Sequence, residues 1–247
     1  MTKQIDFEEA VSFRLNEMVQ KNDPEDSLWP ENCEGSRNAL VVFIGPSPGG
    51  KKVEDRHDID SSVNKPLWDK SYKDPLTWST GFRISFKPIV EEIFNRPYSE
   101  ASKLIARFNL DWMPNPESDD VSISYMRDGC SHVIPLLFEI KPWLVITMDK
   151  KTFGIFQDGL ILEGFDIDPV VHDEVRIKIW ENEDRSAFHS DFLAFNATKD
   201  DLTFLVIHSF QHPARIYDDE YASRIGRAIN LAAKQIWNGE IVSFTIE

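Results

Sequence analysis

The chain has 247 residues, of which 41% are hydrophobic and 28% are charged, enough to bury an ordinary core in one large α/β domain. Lysine and arginine number 27 against 42 aspartates and glutamates, so the formal net charge of −15 disfavours broad electrostatic binding to nucleic acid or to an anionic membrane. Two cysteines are too few for a disulfide framework, a four-cysteine iron–sulfur cluster or a cysteine-based zinc site, and we expect a reducing compartment.

The hydrophobic pattern predicts strands that alternate with helices along the chain. The N-terminal segment is acidic and no apolar run approaches about 18 residues, so we predict no signal peptide and no membrane span, and we expect a cytoplasmic protein. In chain order we predict a helix over residues 7–21, a strand over 39–44, a long polar loop over 53–78, a helix over 86–95, a short strand over 105–110, a helix over 122–140, a strand over 141–148, an alternating strand over 174–180 in a hairpin with the region around 188–195, a strand over 202–207 and a helix over 217–237.

This order of elements predicts the fold class. Strands that alternate with helices indicate one α/β domain over residues 1–247, a three-layer α/β/α sandwich around a mostly parallel central sheet. The first helix is an N-terminal extension, and a strand insertion is expected at about residues 170–198. Ligands bind beyond the carboxyl ends of the strands in such sheets, which makes the loops after strands 39–44 and 202–207 the candidate functional segments.

The first of these loops spells GxxxxGK, the opening of a phosphate-binding P-loop. A P-loop needs serine or threonine directly after the lysine and then an amphipathic helix, but here Lys52 follows and no helical recurrence comes after it. Pro46 and Pro48 also remove two backbone N–H donors that a phosphate cradle uses. A P-loop nucleotide hydrolase is therefore a disfavoured alternative.

The two loops together resemble the motifs of the uracil-DNA glycosylase superfamily. The first motif of that family is a strand followed by G-x-[DNE]-P-[GY], which Gly45, Pro48 and Gly49 match. The second is a strand followed by H-P-[SA], which His212 and Pro213 match. The resemblance covers about residues 38–237 and implies an α/β/α fold of the glycosylase type that binds a base flipped out of its stack.

Further segments between the two loops carry the resemblance. The stretch FNLDWMP is similar to the family's central strand, in which an asparagine reads the base, and Asn109 falls on that position. The stretch FEIKPWLVITM resembles the family's later helix–proline–strand segment, although the family's usual glycine after that strand is missing. The resemblance implies that Phe82 is the candidate for stacking on the base, and that Pro46 and Arg215 contact the substrate.

One position departs from the family pattern. Active members carry aspartate, asparagine or, in one group, glutamate where this chain has Ser47, and that residue positions or activates the attacking water. A serine hydroxyl orients water but is no useful base near neutral pH. The resemblance implies that His212 donates to a carbonyl oxygen of the base and stabilises the negative charge that develops as the base departs. Ser47 and His212 are thus the expected catalytic residues.

Simpler interpretations compete with these assignments. The GPSPGG loop is also a common kind of turn, Asn109 is suited to cap a turn, and Phe82 is as suited to the core as to stacking. His208 and His212 form HxxxH, but the spacing lacks the glutamate of HExxH and has no cysteine support, so we predict no metal. The acidic run over residues 54–60 is more typical of a solvated loop than of a cation site.

Two functional hypotheses follow. The first is a DNA glycosylase that needs no cofactor and hydrolyses the N-glycosidic bond of a flipped uracil or modified base. The second is a non-catalytic member of the same fold that binds a base, a nucleotide or a protein partner, which Ser47 and the charge of −15 favour. We favour the glycosylase, because a pocket without catalysis has less need of both Asn109, which would read the base, and His212. Any contact with DNA or a nucleotide should be local and weak, through Arg215, Lys51 and Lys52.

Overall fold

The computed structural model describes residues 33–36, 38–46, 80–111, 121–170, 175–181, 187–209, 216, 218–240 and 242. These residues form a seven-stranded sheet with helices on both faces and a separate two-stranded hairpin. In chain order the elements are β1 (Cys33–Gly35), β2 (Val41–Gly45), α1 (Thr80–Phe94), α2 (Tyr98–Ala101), a 3-10 turn (Ser102–Leu104), β3 (Ile105–Asn109), α3 (Ile123–Ile140), β4 (Leu144–Thr147), α4 (Lys150–Leu162), β5 (Asp166–Pro169), β6 (Val175–Glu181), β7 (Ala187–Phe192), β8 (Ala194–Lys199), β9 (Leu202–His208) and α5 (Asp219–Trp237).

The large sheet has a parallel centre and antiparallel flanks. Its strand order is β1-β3-β2-β4-β9-β8-β5, and the four strands β3, β2, β4 and β9 pair in parallel. Strand β1 is antiparallel to β3, β8 is antiparallel to β9, and β5 is antiparallel to β8. The expected α/β class with a mostly parallel central sheet is therefore confirmed, and the three predicted buried strands are the neighbours β2, β4 and β9.

Alternating side chains of the central strands build two separate cores. On β2, Val41 and Phe43 belong to the hydrophobic cluster shared with α1 and α5, whereas Val42 and Ile44 belong to the cluster shared with α3 and α4. A strand that is apolar at every position is thus covered by helices on both faces, as its sequence predicts. We call the two sides of the sheet the α1/α5 face and the α3/α4 face.

The predicted hairpin is present as β6 and β7, which pair antiparallel outside the large sheet. Its residues Ile177 and Phe192 lie in the core cluster with α5, and the rings of Phe188 and Tyr221 meet edge to face at 5.6 Å between centroids. Phe195, in the region expected to pair within the hairpin, instead lies in β8 and pairs with Val206 of β9 in the large sheet. The hairpin therefore covers the start of α5.

Helix α4 was not expected from the sequence. The side chain of Asp149 caps it by accepting a hydrogen bond from the backbone N–H of Thr152 at 2.7 Å, and Phe156 faces the core. Gly154 and Gly159 interrupt the helical pattern of apolar residues in this segment. A Cβ at Gly159 would lie 2.8 Å from the Cβ and Sγ of Cys130, so the close packing of α4 on α3 requires glycine there.

Some predicted elements lie outside the described residues, and others correspond to helices of the structure. The helix over residues 7–21, the polar loop over 53–78 and most of the turn after β3 lie outside the described residues. The predicted helices over 122–140 and 217–237 correspond to α3 and α5, and α1 begins earlier than the predicted residue 86. Within the described parts of the chain, no helix is both long enough and apolar enough to cross a bilayer.

Alanine substitutions at two helical glycines should change the free energy of unfolding in opposite directions. A Cβ at Gly129 would lie 1.6 Å from the carbonyl oxygen of Leu110, so Gly129→Ala must push α3 off the end of β3 and should destabilise by about 2 kcal/mol or more. Nothing lies within 4 Å of a Cβ at Gly154, so Gly154→Ala should stabilise by about 0.5–1 kcal/mol. Urea unfolding measures both, and a fully stable Gly129→Ala protein would contradict the packing of α3 on β3.

Candidate functional site

The candidate site lies at the carboxyl edge of the large sheet. Because β3, β2, β4 and β9 run in the same direction, their last residues Asn109, Gly45, Thr147 and His208 all lie at this edge. Gly45 is paired in register with Asn109, and Thr147 with His208. The strands that precede the two predicted motif loops therefore end at one edge, with β4 between them.

Gly45 and Asn109 are in direct contact. A Cβ at Gly45 would lie 2.7 Å from Oδ1 of Asn109 and 3.4 Å from Sδ of Met148, so glycine leaves the space that the asparagine amide occupies. Asn109 is 8% exposed and, by alternation with Phe108 of the opposite core, lies on the α1/α5 face. The structure thus brings together two residues that the sequence assigned to one site.

The pairing of β2 with β3 continues into the loops that follow them. The backbone N–H of Leu110 donates to the carbonyl oxygen of Gly45 at 3.0 Å, and that of Asp111 donates to the carbonyl oxygen of Pro46 at 2.8 Å. Pro46 is buried, and Asp111 is 1% exposed. The sequence pattern placed Asp111 in the turn that follows β3.

The end of β9 is fixed to the end of β4. Ser209 donates its backbone N–H to the carbonyl oxygen of Thr147 at 2.9 Å and its Oγ hydroxyl to the carbonyl oxygen of Met148 at 3.1 Å. Ser209 is 3% exposed, so these bonds are made in the interior. Ser209, three positions before His212 in sequence, is therefore held at the carboxyl edge.

His208 belongs to a polar cluster on the α3/α4 face, away from Asn109. Burial lowers the pKa of His208, whereas the nearby carboxylates of Asp149 and Asp191 and a hydrogen bond with the Asp191 backbone act to raise it, and Lys150 adds to the lowering. Four buried atoms of this cluster have no hydrogen-bond partner in the structure, namely Oγ1 of Thr147, Oδ2 of Asp149, Oγ1 of Thr152 and Nδ1 of His208.

The hairpin is linked to this cluster by charge. Asp191 of β7 pairs with Lys150 of α4 at 3.7 Å and with Arg176 of β6 at 3.4 Å, and the three side chains are between 47% and 71% exposed. Such exposed pairs contribute little stability, although they place the hairpin beside the end of β9. Among the described residues, no group of three or more His, Cys, Asp or Glu side chains is arranged to hold a metal ion.

The remaining predicted residues divide into two groups. Phe82 lies in the first turn of α1, one turn before Phe86, whose ring meets that of Phe43 at 4.9 Å on the α1/α5 face. Helix α1 itself packs on the α1/α5 face of the sheet. The others lie outside the described residues: Ser47, Pro48, Gly49, Lys51, Lys52, the acidic run 54–60, His212, Pro213 and Arg215.

No protein-family model matches the chain, and no curated protein matches it.

The contact between Gly45 and Asn109 should appear in a double-mutant cycle. Gly45→Ala places a methyl group against Oδ1 of Asn109, so it should destabilise by about 1–3 kcal/mol. In an Asn109→Ala background the methyl group no longer meets Oδ1 and keeps only the 3.4 Å contact with Sδ of Met148, so the same change should cost at least about 1 kcal/mol less. The measurement is the urea unfolding of the four proteins, and additive effects would show that the two residues do not touch.

The stability of the protein should depend on pH through His208. The folded-state pKa lies below the ordinary value of 6.5, so the unfolded chain binds a proton first as the pH falls. The contribution of neutral His208 is therefore complete above pH 6.5 and is lost below it, by at most about 1.4 kcal/mol per pH unit.

The matched comparison is His208→Gln, which cannot take up the proton. The difference in stability between wild type and variant should shrink as the pH falls from about 7.5 to 5. High salt should preserve this trend, because the first cause of the low pKa is burial and not surface charge. A difference that stays constant across this range would mean that His208 is exposed to water.

Proposed function

We propose that this protein is a DNA glycosylase of the uracil-DNA glycosylase type, which hydrolyses the N-glycosidic bond of a flipped uracil or modified base. The observation that carries the proposal is the contact of Gly45 with Asn109 at the carboxyl edge of two adjacent parallel strands. An edge of this kind is where α/β sheets bind ligands. The assignment rests on the site and on the sequence resemblance.

The chemistry of Asn109 suits the reading of a base. An amide offers both a donor and an acceptor, which complement the pairing edge of a base that has left its stack. Packing against Gly45 restricts the orientation of this amide, and a preoriented group loses less entropy when it binds. Asn109 is therefore the proposed base-reading residue, with Phe82 proposed as its stacking partner.

The direction of β9 supports a role for the second loop. Strand β9 is parallel to β4 and ends at the same edge as β2, which is the edge that holds Asn109. The HPAR segment begins at His212, four positions after the last residue of β9 in sequence. An imidazole there would donate to a carbonyl oxygen of the departing base, and the negative charge that develops on the base is what catalysis must stabilise. We assign this role to His212.

The charge of the chain limits the way in which it binds DNA. A net charge of −15 repels the phosphate backbone except where cations are concentrated. We assign the local contact to Arg215, Lys51 and Lys52, which flank the proposed site in sequence. Duplex binding should be weak and should weaken further with salt, because few phosphates are neutralised.

A non-catalytic protein of the same fold is the second candidate. Ser47 favours it, because its hydroxyl cannot serve as the base that activates water. Such a protein would keep Asn109 and bind a base or nucleotide without releasing it. The two candidates differ in one observable, which is the release of a free base.

The test is base release from single-stranded DNA that contains uracil, since unstacking costs least there. His212→Ala should slow release by about a hundredfold or more, because it removes the donor to the leaving base. Asn109→Ala should lower kcat/KM by about tenfold or more through lost hydrogen bonds to the base. Asn196→Ala is the matched control, because Asn196 pairs with Leu205 within the sheet and lies away from the carboxyl edge.

The outcomes separate the candidates. A wild type that releases no base, while Ser47→Asn releases uracil, would identify the binding protein. If neither protein releases a base and His212→Ala changes neither ligand binding nor stability, the assignment of the site is wrong. Duplex binding that is tight and independent of salt would contradict the proposed local contact.

A further inference from the structure

Four polar atoms at the start of α4 are buried without a hydrogen-bond partner in the described part of the chain. They are Oγ1 of Thr147, Oδ2 of Asp149, Oγ1 of Thr152 and Nδ1 of His208, and we call these four residues the His208 cluster. The two threonines are fully buried, and His208 is 8% exposed. A buried polar atom costs free energy unless another group bonds to it, so each of the four atoms needs a partner.

Two of these side chains come from neighbouring strands and point toward α4. Thr147 and His208 are the last residues of β4 and β9, and they are paired in register on adjacent parallel strands. Alternation within the two strands places both side chains on the α3/α4 face. The imidazole of His208 meets the ring of Phe153, in the first turn of α4, edge to face at 6.4 Å between centroids. The imidazole therefore lies against the start of α4.

The other two side chains belong to the start of α4 itself. Oδ1 of Asp149 accepts a hydrogen bond from the backbone N–H of Thr152 at 2.7 Å, so the second oxygen of that carboxylate lies beside the same turn. The negative charge of Asp149 acts on the imidazole of His208, which places the two groups near each other. The four side chains thus meet where the ends of β4 and β9 pack against α4.

The hydrogen-bonding capacity of the four atoms restricts what they can bind. The hydrogen bond of His208 with the Asp191 backbone favours the protonated ring, so a ring N–H donates in it, and because Nδ1 has no partner this N–H is on Nε2. Burial lowers the pKa of His208, so near pH 7 the ring is neutral and Nδ1 carries a lone pair. Nδ1 and the Asp149 carboxylate therefore accept hydrogen bonds, whereas the hydroxyls of Thr147 and Thr152 can donate them.

We propose that the His208 cluster is a binding site for one enclosed water molecule. Water donates two hydrogen bonds, here to Oδ2 of Asp149 and Nδ1 of His208, and accepts two, here from the hydroxyls of Thr147 and Thr152. One molecule thereby satisfies all four atoms and joins β4, β9 and α4. The site is separate from the proposed glycosylase site, and it does not depend on that function.

Other occupants suit this set of atoms less well. An anion would be favoured by the N-terminus of α4, but it would face the carboxylate oxygen of Asp149 and the lone pair of Nδ1. A cation would contact four oxygen and nitrogen atoms, yet it would leave the hydrogens of the two hydroxyls without an acceptor. All four atoms are closed to bulk solvent, so a larger molecule does not reach them.

Direct pairing inside the cluster is the competing arrangement. The hydroxyl of Thr147 would turn to Nδ1 of His208 and that of Thr152 to Oδ2 of Asp149, and no water would be needed. The structure contains neither of these two bonds. The arrangements differ in one respect, because a shared water couples Thr147 to Thr152 whereas two separate bonds do not.

The first experiment is a double-mutant cycle in which valine replaces each threonine at nearly constant volume. Thr152→Val removes one donor to the water and should raise the equilibrium constant for unfolding by about fivefold or more. In a Thr147→Val background the water has already lost a partner, so the same substitution should cost at least about threefold less. Urea unfolding of the four proteins measures both effects.

The matched control is Thr203→Val, in the same sheet but outside the cluster. The hydroxyl of Thr203 meets that of Thr198 at the surface, at 3.2 Å, so its effect should add to that of Thr147→Val. Two results would overturn the proposal. Additive effects of Thr147→Val and Thr152→Val would mean that the two hydroxyls bond separately, and a Thr152→Val protein more stable than the wild type would mean that the hydroxyl has no partner at all.

A high-resolution crystal structure of the wild type gives a readout that does not depend on the folding of a variant. The expected result is one ordered water within about 3.2 Å of all four atoms of the His208 cluster. Direct contacts between the hydroxyls and their neighbouring acceptors, with no water between them, would contradict the proposal. An atom at about 2.1–2.4 Å from the same oxygens would be a metal ion and would equally exclude the water.

Discussion

The end of β3 is held between two glycines, and the geometry of the candidate site depends on this arrangement. On one side Gly45 of β2 leaves room for the amide of Asn109, and on the other Gly129 of α3 lets the helix pack against the carbonyl oxygen of Leu110. A methyl group at either position would meet an atom closer than real Cβ contacts allow. The place of Asn109 is therefore set by this close packing together with the backbone hydrogen bonds that join the end of β3 to β2.

Side chains at the carboxyl edge lie in two different environments, one on each face of the sheet, although some of them are neighbours in sequence. Asn109 and Met148 lie toward α1 and α5, whereas Thr147 and His208 lie toward α3 and α4. The histidine side is desolvated, so His208 remains neutral to lower pH than an ordinary histidine. We therefore predict an effect on stability for His208 and a role in catalysis for His212, although the two are only four positions apart.

The parts of the fold that local pattern dictates were predictable, and the parts that depend on contacts between distant segments were not. Runs such as Val41–Gly45 show burial on both faces, and the alternation in Val175–Glu181 shows a half-exposed strand. Helix α4 was missed because Gly154 and Gly159 lower helix propensity, although Gly159 is required by the neighbouring Cys130. The hydrogen bond from Asp111 to Pro46 was not predictable, because it exists only after two remote strands have paired in parallel.

The topology of the sheet also bears on the order in which the molecule folds. Strands β8 and β9 pair across a tight connection, with Lys199 opposite Leu202, whereas β2 pairs with β3 and β4 only across long stretches of chain, with Val41 opposite Ile105 and Leu144. Closing long loops costs entropy before any contact repays it, so local hairpins form early and remote parallel pairs form late. Asn109 would then meet Gly45 among the last steps of folding, an order that pulsed hydrogen exchange during refolding can resolve.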